Sequence, residues 1–302
     1  MATSGTSGER RPEQPAVSPG RVSSAAATAL TLAYSAPMPG CGSRYADRDI
    51  AHETRLLWVP STGAVLGYAG ERGVGETVLE AAAAALGLTG RASPREAGYL
   101  APLARGALRG ERVEVVLARL GHDDLRAFAR ALKISGVRGP LEHSLQLALG
   151  AGRDTTLRDV MRFCAARDPL AREYARNFEV TRELARPALL AALSRADSAR
   201  GALVQAYLEV LSEVPDVDIA ERAGQREAED VSRMARGVLK AGGVRSRRGL
   251  EGVANLDGIL RENPRLAPTA TEPPVIAAAF LIALEYGPEA LSYRLKPASG
   301  GR

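Results

Sequence analysis

The chain has 302 residues, 45% of them hydrophobic and 25% charged, with 40 Lys and Arg against 35 Asp and Glu for a net charge of +5. That length supports one large domain or two small ones. The thin basic excess, with no Lys/Arg stripe and no interleaved aromatics, disfavours a nucleic-acid partner. Only 4% of residues are aromatic, in a chain rich in Ala, Leu and Arg, so the composition favours an all-α protein.

Residues 1–20 are rich in Ser, Gly and Pro and are expected to form a disordered tail. "SSAAATALTLAYSA" (23–36) follows Arg21 and is apolar enough to be compared with a secretion signal. Glu9 and Glu13 precede it, however, and Ala and Thr dominate it, so it reads as a first core helix over about 22–35. No apolar run approaches the ~18–20 residues of a membrane span, so a cytoplasmic protein without membrane association is expected. "RDIAHETRLLW" (48–58) is weakly helical, and "ETVLEAAAAALG" (76–87) predicts a helix stopped by Gly87. Further helices are predicted at about 95–109, 111–120, 122–134, 140–149 and 154–167.

"AARDPLAREYARNFE" (165–179) continues the helical pattern, with Leu170, Tyr174 and Phe178 as its apolar seam. Asp168 before Pro169 is a good helix start, and Asp168 with Arg172 makes an i,i+4 pair worth ~0.3–0.5 kcal/mol. Helices follow in "ARPALLAALSRA", at 198–214 before Pro215, at 224–243, in "LEGVANLDGILRE" and at 275–287; residues 291–302 read as a frayed tail. No repeat and no linker divides 21–290, which predicts one domain of about 10–14 helices.

Generic catalytic templates mostly fail. "GERGVGET" lacks the Lys-Ser/Thr of a P-loop, and His52, His122 and His143 are not at metal-ligand spacing. Cys164 reads as a core residue, Cys41 falls in a loop where it can be exposed, and neither implies a disulfide. In "PDVD", Asp216 and Asp218 read as an exposed Asp-rich turn, or as a pair able to hold Mg²⁺ and a polyphosphate.

Four stretches in order carry a family resemblance: "YSAPMPGCGSRY" (34–45), "TTLRDVMRFCAARDPLAREYARNFE" (155–179), "VPDVDIAERAGQREAEDVSRMARGVL" (214–239) and "AAAFLIALE" (277–285). Together they resemble the triphosphoribosyl-dephospho-coenzyme A synthase family in its archaeal-type branch, over most of 22–287. The resemblance implies an all-helical transferase that uses ATP and 3′-dephospho-CoA and releases adenine. Its product is a prosthetic-group precursor for acyl carriers of citrate lyase or malonate decarboxylase. Carried over by position, Arg167, Asp168, Arg172 and Tyr174 would line the site, and Gly40, Arg44, Asp216, Arg222 and Gly224 are the other matching positions. The arginines would clamp phosphates. Asp168 and Asp216, the catalytic candidates, would hold Mg²⁺ directly or through water.

The chain also departs from the family pattern. The lysine of the Pro-Lys-Pro-Gly loop is Met38, the Asn-Thr-x-Leu-Gly loop is replaced by "RASPR" (91–95), the late Pro-Gly-Thr-Thr-Ala-Asp loop by "TATEPP" (269–274), and the Thr after Asp216 by Val217. An alternative therefore stands beside the enzyme: a catalytically silent homologue that binds a nucleotide or a partner protein in a coenzyme or pterin-linked one-carbon pathway.

Overall fold

A computed structural model describes residues 16–291; the predicted tails fall largely on residues 1–15 and 292–302, outside the described residues. Fifteen α-helices make one all-α domain, one more than the upper expectation, and the described residues contain no strand beyond a single Ser43–Ala46 bridge. No helix among them is long and apolar enough to cross a membrane.

The last helix, α15 (Glu272–Tyr286), is the axis of the fold. It is apolar on every side, which a helix can be only when surrounded. α1 (Pro19–Ser35), α4 (Arg95–Arg109), α10 (Arg186–Leu193) and α11 (Ala199–Glu213) pack around it. Pro273 and Pro274 sit in its first turn, where a missing N–H costs nothing.

α1 begins three residues before its expected start because Ser18 accepts the Arg21 N–H and Pro19 opens the first turn. α2 (His52–Gly67) runs well past the weak 48–58 pattern, through Pro60. Its support is tertiary: a Cβ on Gly63 would stand 3.1 Å from the Ser23 carbonyl, so small residues let α1 and α2 touch backbone to backbone. α3 (Val74–Thr89) passes Gly87 and ends at Gly90, whose φ of +71 makes it the left-handed cap. The long surface order then continues through α5 (Val113–Ala118), α6 (His122–Ile134), α7 (Pro140–Gly150) and α8 (Leu157–Cys164). α13 (Gln225–Lys240) covers α11, and α14 (Arg247–Glu262) covers α13.

The 165–179 segment corrects the reading of one continuous helix. α9 (Pro169–Ala175) stops early, Asn177 and Phe178 take φ of +56 and +62, and a π-helical turn runs over Val180–Ala185. Phe178 still reaches the core, with its ring centroid 5.8 Å from that of Tyr174 and 6.3 Å from that of Tyr99. Two consecutive left-handed non-glycine residues store roughly 1 kcal/mol or more each. The buried carboxylate of Glu173 holds them in place by accepting the N–H groups of Val180 at 2.9 Å and Thr181 at 3.0 Å, together with the Thr181 hydroxyl.

Candidate active site

A cleft of about 280 Å³ opens where the start of α9, the end of α11, α12 (Val217–Arg222) and the loop before α15 meet. Asp168 enters it as the N-cap of α9, accepting the Ala171 N–H at 2.8 Å. Arg172, one turn further along, lines the same cleft, and its Nε is buried without a hydrogen-bond partner. Tyr99 reaches the cleft from α4; its ring is 1% exposed and its hydroxyl is likewise unpartnered. Burial raises the carboxyl pKa of Asp168 and the phenol pKa of Tyr99.

Asp216 corrects the reading of an exposed turn. It is 2% exposed and caps α12: one oxygen accepts the N–H groups of Asp218 at 3.0 Å and Ile219 at 3.1 Å. The other accepts the Ala270 N–H at 2.9 Å and the Thr271 hydroxyl at 2.8 Å. One carboxylate thus fastens α12 to the loop that launches α15. Burial, with the neighbouring Asp218 charge, lifts its pKa to about 6 against those four donors. For Asp218, burial is outweighed by Arg95, at 2.9 Å, and by the Thr269 hydroxyl, at 2.6 Å, which hold its pKa below the usual value.

The sequence profile of the CitG family, ATP:dephospho-CoA triphosphoribosyl transferase, matches residues 20–290. The chain belongs to that family. A crystal structure from Archaeoglobus fulgidus, provisionally assigned as a triphosphoribosyl-dephospho-CoA synthase, shares the fold at a TM-score of 0.56 and 20% identity, covering 80% of this chain and 99% of that one. No curated protein matches the sequence.

Of the nine positions carried over from the transferase family, the structure brings Asp168, Arg172 and Asp216 together in the cleft. Arg167 lies exposed on the turn that leads into α9. Tyr174 points the other way: it is 4% exposed and its hydroxyl donates to the Gly98 carbonyl at 2.7 Å. The partner that carbonyl would have in a regular helix is the N–H of residue 102, which is proline. Tyr174 therefore replaces a missing backbone donor in α4. Arg222 also turns to backbone, donating to the carbonyls of Asp218 and Ala267, and Gly224, at φ +124, starts α13.

Gly40 and Arg44 do not line the cleft. The Gly40 N–H donates to Asp257 at 2.8 Å, Arg261 holds the Cys41 carbonyl at 2.6 Å, and the Tyr207 hydroxyl holds that of Pro39 at 2.8 Å. This pinning buries Cys41 rather than leaving it accessible. Arg44 is exposed and stacks over Tyr45. Sequence reasoning missed Tyr99, Glu173 and Arg176, which line the cleft, and Arg95, which is joined to Asp218. Only the Arg95–Tyr99 spacing of one helical turn offered a signal.

Proposed function

We propose that this protein transfers the triphosphoribosyl group of ATP to dephospho-CoA or a related alcohol, releasing adenine, and that the cleft beside α9 is where it does so. The observation that carries this reading is the convergence of Asp168 and Arg172 from one family-like segment and Asp216 from another on one cleft. In such a transfer the acceptor oxygen forms a bond to ribose C1′ as the C1′–N9 bond breaks; the hydroxyl loses its proton and adenine gains one. Arg176, which lines the cleft with a side chain 57% exposed, and the exposed Arg167 supply charge for phosphates lying outside it.

A Mg²⁺ bound directly by Asp216 does not fit, because four donors already occupy its lone pairs. Among the described residues no group of three His, Cys, Asp or Glu could hold a metal. Mg²⁺ belongs to this reading as the counter-ion of the triphosphate. The test is incubation with ATP, Mg²⁺ and dephospho-CoA, followed by chromatography for free adenine. Absence of adenine, together with absence of ATP binding by calorimetry, refutes the proposal.

A silent nucleotide-binding homologue is the second reading. What favours it is that cations near the family-like loops are already matched: Arg55 with Glu272 at 2.6 Å, Arg95 with Asp218, and Arg261 with Asp257 at 2.7 Å. ATP binding without adenine release selects it.

A further inference from the structure

We propose that α1 and α2 form the contact face of a two-fold symmetric dimer, and that the partner seated on it is a second copy of this chain. The inference stands apart from the transferase reading. The two helices run side by side in backbone contact: a Cβ on Gly63 would lie 3.1 Å from the Ser23 carbonyl, and one on Gly67 3.2 Å from that of Pro19. Helical spacing puts Ser24 and Thr31 of α1 and Leu57, Pro60, Ala64 and Tyr68 of α2 on one side of this pair, all exposed. Leu57 is 51% and Tyr68 53% exposed. Past the first turn neither helix carries a charged residue, in a chain that is 25% charged. The charges of the first turns are drawn off or marginal. Arg21 donates to the carbonyls of Leu284 and Glu285, Arg55 is buried against Glu272, and Glu53 sits at the rim. Charge depletion around an exposed Leu and Tyr is the composition of an interface centre.

The chemistry of the face selects a copy of itself. A charged patch needs its opposite, whereas methyl groups and hydroxyls complement their own kind, each hydroxyl both donating and accepting. Two chains of net charge +5 repel one another, so they approach most easily where neither presents charge. The size is sufficient. Each helix is about 24 Å long and the axes stand about 9 Å apart, which makes a face of roughly 24 by 20 Å. Two copies together then bury about 1,000 Å², the lower bound for a specific interface, and a dimer of micromolar strength is expected. Residues 1–15 are a poor cover for the same face, since they include Glu9, Arg10, Arg11 and Glu13 and no Leu, Ile, Val or Phe.

The test is sedimentation velocity of full-length protein from about 1 to 200 µM, the range of a micromolar dimer. Wild type is expected to pass from one to two chain masses across that range. Ala64 lies near the midpoint of the Leu57–Tyr68 stripe, where a two-fold axis sets a residue against its own copy. Ala64→Arg and Ala64→Glu each place like charges face to face there, and each alone is expected to stay monomeric. Mixed in equal amounts, the two variants are expected to pair as a heterodimer, which neither a foreign partner nor the chain's own tail would produce. Ala64 is exposed, so both variants should keep the helical circular dichroism of wild type. Phe163→Arg, at a side chain 70% exposed on α8, is expected to leave the dimer intact. Wild type that stays monomeric at every concentration overturns the inference without recourse to any variant. Persistence of the dimer in Ala64→Arg, absence of pairing in the mixture, or loss of the dimer in Phe163→Arg overturns the assignment of this face.

Discussion

Glu173→Gln tests the element that shapes the cleft wall. The glutamate carboxylate divides its acceptors between Val180 N–H on one oxygen and Thr181, through N–H and hydroxyl, on the other. Glutamine keeps one acceptor oxygen, and the better placement is on the Thr181 side, where it serves two donors. Val180 N–H then faces an amide NH₂ and is left unmet, at ~1–3 kcal/mol. Part of that is offset at neutral pH, because burial raises the Glu173 pKa and its ionised form is disfavoured. The net expectation is a loss of about 1–2 kcal/mol, or roughly 2–8 °C in melting temperature at the ~2–4 °C per kcal/mol of a domain this size. The pH dependence has a fixed sign. A raised carboxyl contributes stability that is fully present below its unfolded value and lost as pH rises through its folded value. Wild type loses that contribution on going up in pH and the glutamine variant does not, so the gap between them narrows toward high pH. Thermal unfolding by circular dichroism at pH 5 and pH 8 measures it. A gap that widens with pH, or a variant as stable as wild type at pH 5, refutes the assignment of Glu173 as the fastener of the Asn177–Phe178 turn.

Asp216 gives a second pH signature: its pKa rises from 3.8 to about 6, a contribution of about 3 kcal/mol that is present below pH 4 and lost by about pH 6.5. Asp216→Asn should flatten the fall in melting temperature across that window, and an unchanged slope would contradict it. Tyr174→Phe leaves the Gly98 carbonyl without a donor and should cost ~1–3 kcal/mol in urea unfolding. Adenine release should be untouched, whereas a Tyr174 that touched nucleotide would lower it. Arg172→Ala should reduce ATP affinity more than tenfold, beyond the ~1 kcal/mol ceiling of an exposed ion pair; calorimetry showing less places the phosphates or base elsewhere.

The fold was largely legible because its signals are local. Helices 95–109 and 122–134 were bounded correctly by periodicity, and the structure places Gly110 and Gly121 at the caps of these two helices. Asp168 and Pro169 marked the start of α9 just as clearly. The misses have tertiary causes. α2 outruns its sequence pattern because Gly63 allows contact with α1. The Leu170–Tyr174–Phe178 seam looked like one helix because Phe178 is buried either way, and only the distant partners of Glu173 show that the chain turns left-handed first. The site was half legible. Family-like motifs mark residues that matter without saying whether they touch ligand or hold backbone: Arg172 lies in the cleft, while Tyr174, two positions on, repairs the gap made by Pro102 in another helix. Tyr99 carried no motif, and its buried, unpartnered hydroxyl is visible only once the neighbours that fail to reach it are placed.

Met38 decides how far the departures from the family pattern can be reversed. Restoring the lysine at that loop position would return a phosphate-reaching cation if the side chain faced the cleft. It does not: Met38 is 0% exposed, its carbonyl accepts the Cys41 N–H at 3.0 Å, and the loop around it is tied down from Asp257, Arg261 and Tyr207. A lysine there must bury an ammonium, at several kcal/mol unless it neutralises, or pull the pinned loop outward. Met38→Lys is therefore expected to lower the midpoint of urea unfolding by an amount equivalent to at least 3 kcal/mol, with no gain in adenine release. A stable variant that releases adenine faster would show that the loop can swing its side chain to the nucleotide. The loss of the lysine would then be a simple exchange of one solvent-facing residue for another, and not the commitment of this loop to the core.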